Sequence, residues 1–391
     1  MTNRREWLTR AAGLAGAGLL AGGAAAQFGK EPLKEPLKEP PPEVCVPAKV
    51  FRIGVISASI EGKPQRTNGH TWHFCHPFHP QVDQEVIKKT LDPGSVRVFE
   101  QYFRNPQLNF DLMPFQNTKL THVYDADRPS AELFASAFPG VQVMDSVEKM
   151  IEEVDAVWLG DASGTGSDHF DLIAPALEQG LPCFVDKPIG KTVAGTKKIL
   201  DHAKRYEAKL MSSSLFRHQW GTAEALRLKN SKEFGELQFT QACQAGGWSL
   251  PSWFIYGQHP VWMVETICGP GVEGVSMYAR ENACHALLTY PDRMPAEVWY
   301  GRPDISGLYC ETKVHFQKKT HTWTPAIDGN YWLGHSYQMM NMANAFRKML
   351  ETGIEPVPHR EILEVTAIVH AAAKSLNEKS RLVSLAEVLE G

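Results

Sequence analysis

The sequence predicts an α/β chain: a doubly wound parallel sheet first, then a C-terminal α+β region with an open, mostly antiparallel sheet. Three observations carry this. Between residues 49 and 212, short apolar runs alternate with helix-period stretches, as they do where crossover helices join parallel strands. Beyond Ser213 the texture changes to strands of alternating aromatic and polar residues without long helices between them, which favours antiparallel pairing. With 391 residues, 43% hydrophobic and 21% charged, the chain can bury the cores of about two domains.

Taken in order, Asn3-Arg4-Arg5-Glu6-Trp7-Leu8 precedes an Ala/Gly/Leu run ending at Ala26, so residues 1–26 read as an export signal cleaved near Ala26. Paired Arg4 and Arg5 with a weakly apolar run are similar to a twin-arginine (Tat) signal, which places the mature chain in the periplasm or another extracytoplasmic space. An uncleaved anchor and an ordinary secretion signal are the alternatives. The run is short and glycine-rich for a membrane span, which needs about 20 apolar residues, so no stable span is expected after processing. Residues 27–47 repeat Lys-Glu-Pro-Leu and run into Pro40-Pro41-Pro42. Proline at that density removes amide donors, which predicts an extended, disordered linker.

Residues 50–56 form a first buried strand and 120–124 a second, followed by a helix over 130–138. A strand over 141–144, a helix over 147–153 and a fourth strand over 156–159 continue the alternation. Helices over 169–179 and 192–206 flank a strand at 182–185, and 209–212 closes the set. This is the period and order of a Rossmann dinucleotide-binding domain, spanning 48–213. Between Ile56 and Leu120 lie about twice the residues one helix crossover needs. The surplus, at 92–117, is rich in Phe, Gln and Asn and is expected beside the crevice as a lid or an oligomer contact. A substrate and oligomerisation domain over 214–391 has strands at 237–241, 274–279, 285–290, 297–300 and 311–316, then helices over 337–350 and 360–379. Met339, Met340, Met342 and Met349 read as core or interface filling.

The net charge of −4 and a pI near 6.4, without a Lys/Arg run, exclude nucleic acid and acidic membrane as partners and point to a small-molecule ligand. Seven cysteines without CxxC spacing indicate neither a disulfide framework nor a zinc ribbon.

Asp186-Lys187-Pro188 closes the 182–185 strand. A lysine where a parallel strand stops sends its ammonium into the crevice in which doubly wound sheets bind ligands, where it can hold a hydroxyl or carbonyl oxygen during hydride transfer. Asp125 ends the second strand, the fourth leads to His169, and Gly353-Ile354-Glu355-Pro356 lies in a late helix pair. This ordered set resembles the Gfo/Idh/MocA oxidoreductases, the glucose-fructose oxidoreductase and inositol dehydrogenase group, from about Ala48 to the C-terminus. The resemblance implies NAD or NADP as cofactor, a carbohydrate substrate, and a homo-oligomer that uses the open face of the C-terminal sheet.

It also implies Gly-x-Gly-x-x-Gly after the first strand, where this chain has Ser57-Ala58-Ser59. Ser57 and Ser59 stand at the first two glycine positions, and serine is small enough to approach a phosphate and donate to it. Asn68-Gly69-His70-Thr71-Trp72-His73 is an alternative source of the turn and helix start. His70, His73, His76 and His79 recur every third residue, open to three readings: crevice lining, metal ligands or surface histidines. Pro77 and Pro80 break the helix that would align them, so no metal site is predicted. Asp125 can accept from both ribose hydroxyls, which favours NAD over NADP, with Asp127 a competitor for that role. The expected cofactor contacts are Ser57, Ala58, Ser59, Asp125, His169, Asp186, Lys187 and Pro188.

In the second domain the family presents Asp-x-Gly-x-His-x-x-Asp, against Ile255-Tyr256-Gly257-Gln258-His259-Pro260-Val261-Trp262 here. Gly257 and His259 match, while Ile255 and Trp262 replace the aspartates. Lys187 and His259 are the expected catalytic pair, Lys187 polarising the oxygen and His259 taking the proton, with Tyr256 or Glu265 standing in for the lost carboxylate. Arg217, Trp248, Tyr256 and His259 are the expected substrate contacts. Trp253 is either a second sugar platform or a core residue. These residues predict an exported oxidoreductase with tightly bound NAD(P) acting on a sugar, cyclitol or glycoside. A carbohydrate-binding protein that has lost the redox step, and NAD-assisted glycoside cleavage, are the alternatives.

Overall fold

The computed structural model describes residues 49–60, 63–64, 71–104, 113–160, 164–301, 310–327 and 329–390. The expected export signal, the linker and His70 lie outside the described residues. The described strands begin with β1 (Phe51–Ile56), a hairpin of β2 (Ser59–Ile60) and β3 (Lys63–Pro64), β4 (Thr118–Tyr124), β5 (Gln142–Val143), β6 (Ala156–Leu159), β7 (Cys183–Val185) and β8 (Leu210–Met211). Six of these make a sheet in the order β5-β4-β1-β6-β7-β8, parallel throughout. The order reverses at β1, so a crevice opens at the carboxyl ends of β1, β4 and β6.

Every residue of β6 and β7 is buried, as a strand covered by helices on both faces requires. Trp158 of β6 stacks on Phe184 of β7 with centroids 3.8 Å apart. Side-chain caps start the crossover helices: Asp127 for Arg128–Ala137, Ser146 for Val147–Ile151 and Thr192 for Val193–Arg205.

The second sheet contains β9 (Leu237–Ala245), β10 (Gly274–Arg280), β11 (Ala283–Thr289), β12 (Ala296–Gly301), β13 (Thr312–Phe316), β14 (Thr320–Trp323) and β15 (Val383–Ser384). Its order is β14-β13-β9-β12-β11-β10-β15, and the only parallel pair described is β9 with β12. Burial alternates along β11 and β13, one face turned to the core and the other outward. The helices Gln258–Cys268 and His359–Asn377 cover the inner face, the latter tied to β10 where the Met277 amide donates to Ser375 Oγ at 2.9 Å.

The helix of the surplus at 92–117, Pro93–Arg104, packs against the long helix Tyr331–Thr352. Ser336 Oγ donates to the Val98 carbonyl at 3.2 Å, and Asn330 Nδ2 donates to Gln101 Oε1 at 3.1 Å. The insertion thereby fastens the first half of the chain to the second. The long helix starts at Tyr331, earlier than its expected 337, because Asn330 caps it. Gly334 is required there: a Cβ would come within 1.6 Å of the Pro325 carbonyl oxygen.

Phe346 of this helix is fully buried and sets its ring against Phe78, Trp158 and Phe184, joining it to the parallel sheet. Phe346→Ala should cost about 3–5 kcal/mol, measured by urea unfolding, with the fluorescence and far-ultraviolet dichroism transitions moving together.

Candidate active site

A cleft of about 680 Å³ follows the carboxyl ends of β1 and β4 and the start of the helix His169–Glu178. Asp125, Asp127, Asp168 and Asp171 line it, and no described lysine or arginine does. Its floor is the turn after β1. Ser57 takes φ of 65°, the left-handed conformation for which a glycine would ordinarily be used.

Asp125 holds this turn. Its Oδ2 accepts from the Ala58 amide at 2.8 Å, the Ser59 amide at 2.9 Å and the Ser59 hydroxyl at 2.9 Å, while Oδ1 accepts from the Asp127 amide at 2.8 Å. The Ser57 amide donates to the Tyr124 carbonyl at 2.9 Å, and Trp72 Nε1 donates to the Ala58 carbonyl at 2.9 Å. Thereafter the chain enters the β2–β3 hairpin instead of a helix, and the next described helix starts at Trp72. Of the expected phosphate contacts, Ser57 and Ser59 line the cleft, Ala58 is buried, and the amides of Ala58 and Ser59 are bonded to Asp125. The carboxylate expected on the ribose is the one that bonds them. Asp127 caps its helix, Oδ2 accepting from the Ser130 amide at 3.1 Å.

At the other end of the crevice Lys187 is 1% exposed. Its Nζ donates to the Ile255 carbonyl at 3.3 Å and lies 5.4 Å from the centre of the Tyr256 ring. Behind it, Asp186 is fully buried and accepts the Lys187 amide at 2.7 Å. Burial pushes the Asp186 carboxyl well above the usual carboxylate range, against the pull of the Lys187 and His169 charges. His169 is also buried, with Nδ1 3.2 Å from the Ile189 carbonyl, so it supports the strand end from beneath.

His259 is buried beside the same tyrosine, ring centroids 6.3 Å apart, with Nδ1 2.6 Å from Ser214 Oγ. Lys187, Tyr256 and His259 are thus brought together as expected. Ser214 was not foreseen, since a serine in the run Ser212-Ser213-Ser214 carries no motif. Pro188 and Ile255 also line a mostly apolar cavity of about 430 Å³, and Thr165 borders both this cavity and the larger cleft.

Other expected residues go elsewhere. Arg217 donates to Glu361 Oε2 at 3.0 Å and to Thr266 Oγ1 at 3.1 Å, with its guanidinium 5.6 Å from the Trp262 ring, and so clamps helices together. Trp248 rests against Tyr300 with centroids 6.3 Å apart. Trp253 is a core residue whose Nε1 donates to the Val369 carbonyl at 3.0 Å. His73 and His76 pack against Phe99, burial driving the His76 ring down to about 3, and His79 Nε2 lies 3.1 Å from the Pro139 carbonyl. Among the described residues no group of three or more His, Cys, Asp or Glu is placed to hold a metal ion.

Residues 101–214 match the family model of the Gfo/Idh/MocA oxidoreductases, an oxidoreductase family with an NAD-binding Rossmann fold. The matched stretch starts downstream of β1 and its turn. An inositol 2-dehydrogenase of Cereibacter sphaeroides is 30% identical over 100 residues, 25% of this chain and 29% of that enzyme. The rhizopine catabolism protein MocA of Rhizobium meliloti is 34% identical over 87 residues, 22% of this chain and 26% of that protein. The chain thus spans under a third of the length of these curated relatives. The scyllo-inositol dehydrogenase of Lactobacillus casei, solved with NAD(H) and scyllo-inositol, superposes with a TM-score of 0.63 at 14% identity, over 86% of this chain and 100% of that one. An oxidoreductase of Agrobacterium radiobacter, solved with NAD+, L-tartaric acid and magnesium, gives 0.64 at 13% identity, over 86% of this chain and 99% of that one. These superpositions show a shared fold.

Glu265, considered above as a stand-in carboxylate, faces Glu361, Glu364, Arg217 and Arg293. It is 1% exposed, and neither carboxyl oxygen has a hydrogen-bond partner among the described residues. Burial first, then Glu364 and Glu361, push its pKa up to about 9. The folded chain then keeps a proton that the unfolded chain releases above about 4.5, so stability is fullest below that pH and falls as pH rises toward 9. Glu265→Gln removes this loss. Its melting temperature should exceed that of the parent by a margin that widens between about pH 5 and pH 8, read by thermal denaturation.

Proposed function

We propose that this chain is an NAD-dependent oxidoreductase that moves hydride between a ring carbinol carbon of a cyclitol or sugar and the nicotinamide. The observation that carries this reading is the Lys187 ammonium, buried at the end of β7 beside Tyr256 and His259. The family match over 101–214 and the inositol dehydrogenase relatives support both the redox class and the cyclitol. The cleft lies where doubly wound sheets take a dinucleotide, and its size suits the adenosine half. When bound, the nicotinamide supplies the hydride acceptor. Lys187 donates a hydrogen bond to the carbinol oxygen and offsets the negative charge that develops there. His259 takes the hydroxyl proton, its ring held through Nδ1 by Ser214. Loss of proton and hydride together leaves a carbonyl.

The carboxylates of the cleft repel a ribose 2′-phosphate, which supports NAD over NADP. Tyr278 at 58% exposure and Trp299 at 44%, on the second sheet, support a homo-oligomer. We read residues 1–26 as a twin-arginine signal, so that the enzyme leaves the cytoplasm folded with its cofactor tightly held and recycled in place. The rival reading, a carbohydrate-binding protein without redox turnover, draws on the Ala58 and Ser59 amides bonded to Asp125.

Protein purified from cells and then denatured should release about one equivalent of nicotinamide. Lys187→Ala should retain it while losing inositol-dependent NADH formation by about 10²-fold or more. No nicotinamide and no uptake of added NAD(H) would establish the binder instead. For localisation, replacing Arg4 and Arg5 together by lysine should hold the chain in the cytoplasmic fraction, read by immunoblot of fractionated cells.

A further inference from the structure

We infer that Asp125 competes with the cofactor's diphosphate for the turn after β1, so that the cleft takes the dinucleotide by its adenosine end and gains little from its phosphates. This rests on the dinucleotide reading of the cleft. A phosphate at a Rossmann turn is normally met by the turn's own amides and by the positive end of the helix that follows. Here the turn's amides are already engaged, and a hairpin follows it where a helix would. The Ala58 and Ser59 amides and the Ser59 hydroxyl all donate to Asp125 Oδ2, at 2.8, 2.9 and 2.9 Å. The residues after them pair as a β2–β3 hairpin, so among the described residues no helix continues directly from the turn.

Hydrogen bonds to an ionised carboxylate are about twice as strong as neutral ones, so a phosphate must displace a competitor of its own charge type. The turn is also braced against turning its donors elsewhere. Trp72 Nε1 holds the Ala58 carbonyl at 2.9 Å, and Tyr124 holds the Ser57 amide at 2.9 Å. Asp127, Asp168 and Asp171 surround the same cleft, and each adds repulsion toward an incoming dianion. A ribose pays no such cost, because its hydroxyls donate to carboxylates.

Asp125 thus has two separable effects, attraction for ribose and exclusion of phosphate. Calorimetric affinities for adenosine and for ADP, with the full chain and with Asp125→Asn and Asp125→Ala, tell them apart. In the parent, adding the diphosphate to adenosine should improve affinity by less than about tenfold. In Asp125→Ala that ratio should grow by about tenfold or more, and in Asp125→Asn by an intermediate factor, even where adenosine itself binds more weakly. Ser59→Ala, which removes one of the three bonds and leaves the backbone intact, should shift the ratio the same way. A ratio unchanged or lowered in all three variants overturns the inference and leaves Asp125 as a ribose acceptor only. If neither the parent nor any variant binds adenosine, ADP or NAD, the dinucleotide reading itself falls, and the inference with it.

Discussion

A buried ammonium fixes the geometry of this protein's crevice. Taking Lys187 out of water is costly unless its charge meets compensating dipoles. The Ile255 carbonyl and the Tyr256 ring face provide them, and both come from the helix Leu250–Tyr256, which belongs with the second sheet. The lysine therefore ties the carboxyl edge of the parallel sheet to the start of the second half of the chain. Gly257 permits this, since a Cβ there would meet the Trp253 ring at 2.3 Å and push the two helices apart. With that joint in place, His259 follows in the next helix within reach of the same tyrosine.

What was legible in the sequence was local. β6 was read residue for residue, and β7 and the helices around it were found to within one or two residues, because apolar runs and capping residues act over a single turn. Lys187, Tyr256 and His259 were legible for a similar reason, each sitting at a fixed place in a short motif. What stayed hidden were partners far away in sequence. Arg217 looked free for a substrate until Glu361, 144 residues on, was found holding it. The bonds between Asp125 and the turn about 66 residues upstream likewise left no mark in the sequence. The 92–117 insertion carried no sign that its surface would meet a helix more than 200 residues later. β15, only two residues long, gives no period to read.

The two ends of the crevice have opposite electrostatic character. The cleft beside β1 and β4 is lined by carboxylates, while the far end holds a buried lysine next to an aspartate whose ionisation burial opposes. Under the proposed function, a field of this sense would orient a bound dinucleotide. Hydroxyl donors are favoured at one end, and developing negative charge on a substrate oxygen is favoured at the other.

Where the family that this chain resembles presents two aspartates this chain has Ile255 and Trp262, and under the proposed function that changes how the chemistry would be shared between residues. A carboxylate beside a lysine neutralises part of its charge, whereas the Ile255 carbonyl orients Lys187 without adding a second negative charge there. A carboxylate behind a histidine stabilises the imidazolium that forms on proton transfer, whereas the Ser214 hydroxyl at Nδ1 is neutral and stabilises it less. The first change strengthens the electrophile and the second weakens the base. In the proposed reaction, ionisation of the carbinol would then depend more on charge stabilisation at its oxygen than on the pull on its proton, which would favour ring hydroxyls that are already acidic. Trp262, freed from acid–base work, packs beneath Arg217 and helps hold the helix that carries His259.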